Sequence, residues 1–149
     1  MGKYDRQNEK AVKRGLNWLT DRRDAILRRG MVELLEEAAS FAMHLHDQTH
    51  FGHRIVADSH GWALVKDGKV ELLQVNDGNH GEGNATRQLR EAASKVPSNG
   101  YVGIVLASMT AARENGRPII FELEFEMDVM NITIDEIKSN FYDYFKPIR

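Results

Sequence analysis

Trp62-Ala63-Leu64-Val65-Lys66-Asp67-Gly68-Lys69-Val70-Glu71-Leu72-Leu73-Gln74 is the stretch from which the fold is read. Asp67-Gly68 stands between two segments of period two. Both positions of a tight hairpin turn must accept positive φ, which Asp and Gly do at little strain. The stretch therefore predicts two antiparallel strands joined through Lys66-Asp67-Gly68-Lys69.

Upstream, the period becomes helical from Asp5 to His46. Val12, Leu16, Leu19, Ile26, Leu34, Ala38, Phe41 and Leu45 fall at sums of three and four, and Leu27, Met31 and Leu35 widen the stripe. One straight helix of that length would reach about 60 Å, against a radius of gyration near ~15 Å for a domain of this size. Such a helix breaks or overhangs. Thr20 and Asp21 suit a second N-terminus and Gly30 a weak point. The preferred reading is a helical arm over residues 1–21, with a first helix to about Leu19, and one domain over 22–149 whose main helix runs from Arg22 to His46.

Downstream, the glycine-rich run 76–83 precedes a short helix from Asn84 or Ala85 to Lys95, which Pro97-Ser98-Asn99-Gly100 ends. Tyr101 to Ser108 is nearly all apolar and reads as a central strand. A turn around Asn115-Gly116 leads to an alternating strand, Ile119 to Met127, with Glu122, Glu124 and Glu126 on one face. Thr133-x-x-Glu136 has capping-box spacing and predicts a last helix through Phe145, stopped by Pro147. The fold class is α+β: a long N-terminal helix or helix pair, a β-hairpin, a short helix, two further strands and a C-terminal helix.

The chain has 149 residues, 42% of them hydrophobic, a formal charge of −2 and no cysteine. That suffices for one core, leaves no disulfide or thiolate chemistry, and is not the balance of a polycation. The charged first residues predict no secretory signal, and no apolar run has membrane-spanning length. Charge is uneven. Residues 1–30 carry nine basic side chains against four acidic, and residues 118–149 carry seven acidic against three basic. A basic head and an acidic tail can attract within one chain or between neighbours.

His44, His46, His50 and His53 lie within ten residues, with His60 and His80 further on. A metal site needs imidazoles converging at about 2.0–2.1 Å from one ion. Residues two apart on a helix diverge, no H-E-x-x-H run occurs, and no metal or other cofactor is expected. Gly78-Asn79-His80-Gly81-Glu82-Gly83 fits no phosphate-binding pattern, and Glu82 would repel an anion. Ser59 beside His60 lacks the elbow of a nucleophile. The basic run within 3–29 is a candidate phosphate contact, although acidic residues interrupt it.

The loop Thr49-His50-Phe51-Gly52-His53-Arg54-Ile55-Val56-Ala57-Asp58-Ser59-His60-Gly61-Trp62, entered from a helix and left by a strand, resembles the T-G-x-L-x-x-S loop of the head–tail joining, neck and tail-completion proteins of tailed phages. The form found in phages of gut Bacteroidota is the most similar. Gly100-Tyr101-Val102-Gly103-Ile104-Val105-Leu106-Ala107-Ser108-Met109 is similar to that family's G-Y-V-x-x-V-x-A-x-M strand. The likeness spans about residues 22–145. It departs where His50 to Arg54 replace G-x-L, and where Thr110-Ala111-Ala112-Arg113-Glu114 replaces a Y-A-x-Y-V-E type string.

The resemblance implies a non-enzymatic virion protein, made in the host cytoplasm and assembled into a closed homo-oligomeric ring, six- or twelvefold. It implies neighbouring portal, connector or tail proteins as partners, non-specific contact with channel DNA, and no membrane. Subunit contacts then fall to Arg14, Trp18 and Arg22 on the helix, Phe51 and Arg54 in the loop, Glu122, Glu124 and Glu126 on the strand, and Phe141 and Tyr144 at the C-terminus. The alternatives are a small metal-dependent hydrolase using the His44–His53 cluster and a nucleic-acid-binding regulatory protein.

Overall fold

A computed structural model describes residues 2–47, 60–75, 84–107, 113–114, 117–118 and 128–146. Helix α1 runs unbroken from Lys3 to Asp47, 45 residues, or about 67 Å at 1.5 Å per residue. The break expected near Thr20 or Gly30 is absent. The Thr20 hydroxyl donates to the Leu16 carbonyl at 2.9 Å, the back-bond of a residue inside a helix rather than a cap. At Gly30 the missing side chain admits a neighbour, since a Cβ there would lie 2.5 Å from the Phe145 ring and 2.6 Å from the Tyr144 carbonyl oxygen. The change near residue 21 is one of burial alone. Every residue from Tyr4 to Arg23 is exposed, and partial burial begins at Asp24.

Strands β1 (His60–Lys66), β2 (Lys69–Val75) and β3 (Tyr101–Ala107) form an antiparallel sheet in the order β2-β1-β3. The hairpin turn is as expected, with φ of 49° at Asp67 and 80° at Gly68. Leu64 pairs with Leu72 but Val65 with Val70, so Glu71 is the extra residue of a bulge, which bends β2 locally.

In the described sheet β1 is the central strand, not β3. The apolar run of β3 was expected to mark a centre. Continuous apolarity reports two covered faces, however, and says nothing of how many strands flank the edges. Both faces are indeed covered. On one, α1 supplies Leu35 to a core with Trp62 and Leu64, joined by Met31, Leu72, Tyr101 and Val105. Gly103 brings the helix close, because a Cβ there would stand 2.7 Å from Leu35 Cδ2. On the other face lies α2 (Asn84–Ala93), which packs on all three strands and buries Ala85, Leu89 and Ala93 at near-helical spacing.

Helix α3 (Val129–Ser139) and a 3₁₀ turn (Phe141–Phe145) pack on α1. The capping box expected at Thr133 does not form. The helix already begins at Val129, behind Asp128 in the left-handed conformation, and the Thr133 hydroxyl donates to the Val129 carbonyl at 2.8 Å. Val129, Thr133 and Ile137, four apart, turn toward the interior, with Val129 and Thr133 fully buried. That stripe places Thr133 in mid-helix. The helix stops at Asn140 instead of continuing to Phe145. The C-terminal segment is then clipped to α1: the Tyr144 hydroxyl donates to Glu37 Oε2 at 2.6 Å, and Arg29 donates to the Lys146 carbonyl.

Two short strands, β4 (Arg113–Glu114) and β5 (Arg117–Pro118), pair antiparallel across Asn115-Gly116. The alternating segment Ile119–Met127 lies outside the described residues.

Paired glycine substitutions test this packing. Replacing Gly by Ala inside a helix ordinarily stabilises by about 0.5–1 kcal/mol, and Gly15→Ala, with nothing within 4 Å of its new Cβ, should do so. Gly30→Ala should destabilise the chain instead, by about 1–3 kcal/mol for an overpacked contact, as read by urea denaturation of both variants.

Candidate interaction surfaces

The exposed half of α1 carries the first candidate surface. Val12, Leu16 and Leu19 form an i, i+4, i+7 stripe and are 56–61% exposed. Tyr4 and Trp18 are also open to solvent. The stripe is continuous with the lower part of the helix, where Gly30 and Glu37 meet the C-terminal segment. In proteins most of a helix's stability comes from packing one of its faces, and starting the first turn is the unfavourable step. Here the buried half of α1 spares the exposed half the unfavourable nucleation step. Of the residues expected to make subunit contacts, Arg14, Trp18 and Arg22 all lie on this arm. The Arg22 guanidinium stands 5.5 Å from the Trp18 ring centroid, a cation–π pair worth about 0.5–1 kcal/mol when exposed.

A polar clamp marks where the helix leaves the sheet. Lys66 Nζ donates to Asp24 Oδ1 at 3.0 Å and the Tyr101 hydroxyl donates to Asp24 Oδ2 at 3.1 Å. Lys66 also stands 5.1 Å from the Tyr101 ring centroid. The Lys66 hydrogen bond holds the Asp24 carboxyl below its ordinary range, and the same bond raises Lys66. Burial, then Asp24, pushes the Tyr101 phenol up. Arg28 adds an ion pair to Glu71 at 3.2 Å. These contacts orient the arm relative to the sheet.

The C-terminal segment is the second candidate surface. Ile132, Ile134, Phe141 and Tyr142 are exposed, and the Phe141 ring adjoins those of Tyr142 and Phe145 at 5.7 and 5.0 Å. Phe141, one of the candidate contact residues, lies on the surface. Tyr144 does not: it is 6% exposed, with its hydroxyl on Glu37. The 3₁₀ turn, tighter than an α-helix, aims it at α1, so it serves the fold. Burial and the Glu37 carboxylate push its phenol above the ordinary range. Phe51, Arg54, Glu122, Glu124 and Glu126 lie outside the described residues.

The histidines are arranged differently from the cluster that the sequence suggests. His44 is exposed while His46, two residues on, is fully buried. His46 Nδ1 meets His60 Nε2 at 2.7 Å, so one imidazole donates and the other accepts. His60 opens β1 on its α1-facing side and is also buried. The two stand fourteen positions apart in the chain, a pairing that no local spacing announces. His50, His53 and His80 lie outside the described residues, and among the described residues no three His, Asp or Glu side chains gather around one point. A cleft of about 280 Å³ opens beside His60, between Glu36 and Met43 of α1 and Trp62 and Gln74 of the sheet. Among the described residues no helix is long and apolar enough to cross a membrane.

Comparisons of the chain with protein-family models, with curated proteins and with solved structures find no match. What fold and surfaces define is an α+β protein with a sheet between two helices and a long helical arm projecting from it.

Burial lowers His46 to about 4 from an ordinary 6.5, so the unfolded chain takes up a proton that the native chain refuses. The neutral ring's stabilising contribution is complete above pH 6.5 and is lost as pH falls toward 4, amounting to roughly 3 kcal/mol at 1.36 kcal/mol per pH unit. Denaturation midpoints measured across that window should fall for the parent chain and less steeply for His46→Gln. Removing residues 1–19 should shift the thermal midpoint by less than about 4 °C, the equivalent of ~1 kcal/mol, because every residue from Tyr4 to Leu19 is exposed.

Proposed function

We propose that this chain is a non-enzymatic assembly subunit: a head–tail connector, neck or tail-completion protein of a tailed bacteriophage, forming a ring between portal-side and tail-side components. The observation that carries the reading is the uncovered stripe Val12, Leu16 and Leu19 on an arm whose exposed part, Tyr4 to Arg23, runs about 30 Å. A side chain of this kind contributes about 1.5–3 kcal/mol when fully buried, and the arm's own domain buries none of the three. Chain contacts elsewhere are the natural use of that surface. Head-to-tail contacts that close by rotation make rings, and this chain offers two unlike surfaces for them, the arm and the C-terminal segment. The specific class rests on the sequence likeness of the 49–62 loop and the 100–109 strand to phage neck proteins. In that setting the basic arm also faces channel DNA, the finished protein resides in the virion, and assembly takes place in the host cytoplasm.

Light scattering on the full chain over a concentration series tests the reading, with electron microscopy of the same fractions. The expected result is a discrete multiple of 17.0 kDa and annular particles. A chain that stays at 17.0 kDa, alone and when mixed with the proteins encoded beside it, contradicts the proposal.

A further inference from the structure

We infer that the occupant of the arm is a second copy of this chain, with the Val12–Leu16–Leu19 stripe of one subunit lying on the exposed face of α3 around Ile132 of another. The inference rests on the assembly reading above and names the two surfaces that meet.

Charge selects the pair. From Tyr4 to Arg23 the arm carries six basic side chains (Arg6, Lys10, Lys13, Arg14, Arg22, Arg23) against three acidic (Asp5, Glu9, Asp21). From Asp128 to Lys146 the C-terminal segment carries four acidic (Asp128, Asp135, Glu136, Asp143) against two basic (Lys138, Lys146). All these side chains are exposed. Lys146 and Asp143 stand 3.8 Å apart and offset one another, which leaves Asp128, Asp135 and Glu136 against Lys138.

The placement around the apolar groups is complementary as well. Residues three and four apart are neighbours on a helix surface. Lys13 is three before Leu16, and Arg22 and Arg23 are three and four beyond Leu19. Around Ile132 the corresponding neighbours are Asp128, four before, and Asp135 and Glu136, three and four beyond. Glu9, three before Val12, is the one carboxylate beside the stripe, so an apolar centre edged mainly by cations has its counterpart in one edged by carboxylates. Such an arrangement steers encounter and sets register.

Geometry removes the intramolecular version. The C-terminal segment is clipped to α1 at Arg29, Gly30 and Glu37, and α1 is one unbroken helix. Val12 is therefore held about 27 Å along the axis from Gly30 and cannot fold back onto its own α3. Pairing of two arms with each other would bring two net-positive surfaces together. Nucleic acid would satisfy the cations and leave Val12, Leu16 and Leu19 in water, because phosphate contacts are purely electrostatic.

The test uses full-length chains carrying charge reversals at exposed positions. One variant carries Lys13→Glu, Arg22→Glu and Arg23→Glu, and the other carries Asp135→Lys and Glu136→Lys. Circular dichroism verifies that both fold, and sedimentation measures association. Each variant alone should associate at least about tenfold more weakly than the parent chain. An equimolar mixture should recover parental association, because each reversed surface then meets its opposite. Association of either variant at parental strength overturns the inference while leaving the assembly reading intact, and so does a mixture that stays dissociated. A parent chain that remains monomeric by itself at every concentration overturns the inference, and one that also stays monomeric when mixed with the proteins encoded beside it overturns the assembly reading as well. A short duplex DNA serves as competitor: arm reversal that abolishes DNA binding and leaves self-association unchanged assigns the arm to nucleic acid and overturns the inference.

Discussion

The rest of the structure depends on the rigidity of one helix. A 45-residue α-helix cannot bend back on itself without a break, and α1 has none. Its residues from Asp24 to His46 carry the sheet on one side and the C-terminal segment on another. Whatever that anchored half does, the exposed half must follow along the same axis. The apolar stripe does not stop where the domain stops, so part of it is sealed under Tyr144 and Phe145 and part of it is wet. Both halves obey one periodicity and differ only in what lies opposite.

The domain that anchors the helix is small, and β1 lies at its centre. Six of its seven residues are buried, between α1 and α2 on its faces and β2 and β3 on its edges. Such a strand has no place for an unpaired polar group, and its two ends show how polar side chains are accommodated. At one end Lys66 reaches the partly exposed Asp24–Tyr101 pair, where water shares the solvation of the charges. At the other end His60 is sealed in and pairs with His46. The first arrangement is an ion pair of modest worth. The second satisfies a buried ring nitrogen that would otherwise cost about 1–3 kcal/mol.

The distribution of charge gives the proposed role its physical content. A net charge of −2 describes neither end of the molecule: the arm is basic and the C-terminal surface acidic, and a rigid connection keeps them apart. In a flexible chain the two would neutralise each other. Separation by a stiff helix leaves both fields unspent and open to other chains, which is the requirement for an assembly subunit that works by contact and needs no reactive group.

Signals confined to a few neighbouring residues were legible before any fold was in view. Asp67-Gly68 between alternating segments means a hairpin, because positive φ at two successive positions suits few other residues. The i, i+3, i+4 stripe of α1 is legible for the same local reason. Thr20 and Thr133 were misleading, since a threonine hydroxyl caps a helix or back-bonds within one, and the choice falls to the backbone around it. Gly30 looked like a break until the Phe145 ring and the Tyr144 carbonyl were seen to occupy the space where a side chain would be. The centrality of β1, the His46–His60 contact and the burial of Tyr144 each join residues far apart in the chain, and nothing in local spacing encodes which distant partner arrives. The chain's own order therefore set the elements and their apolar faces. Packing alone decided which faces were covered, because burial is a property of two surfaces and the sequence of one segment describes only its own.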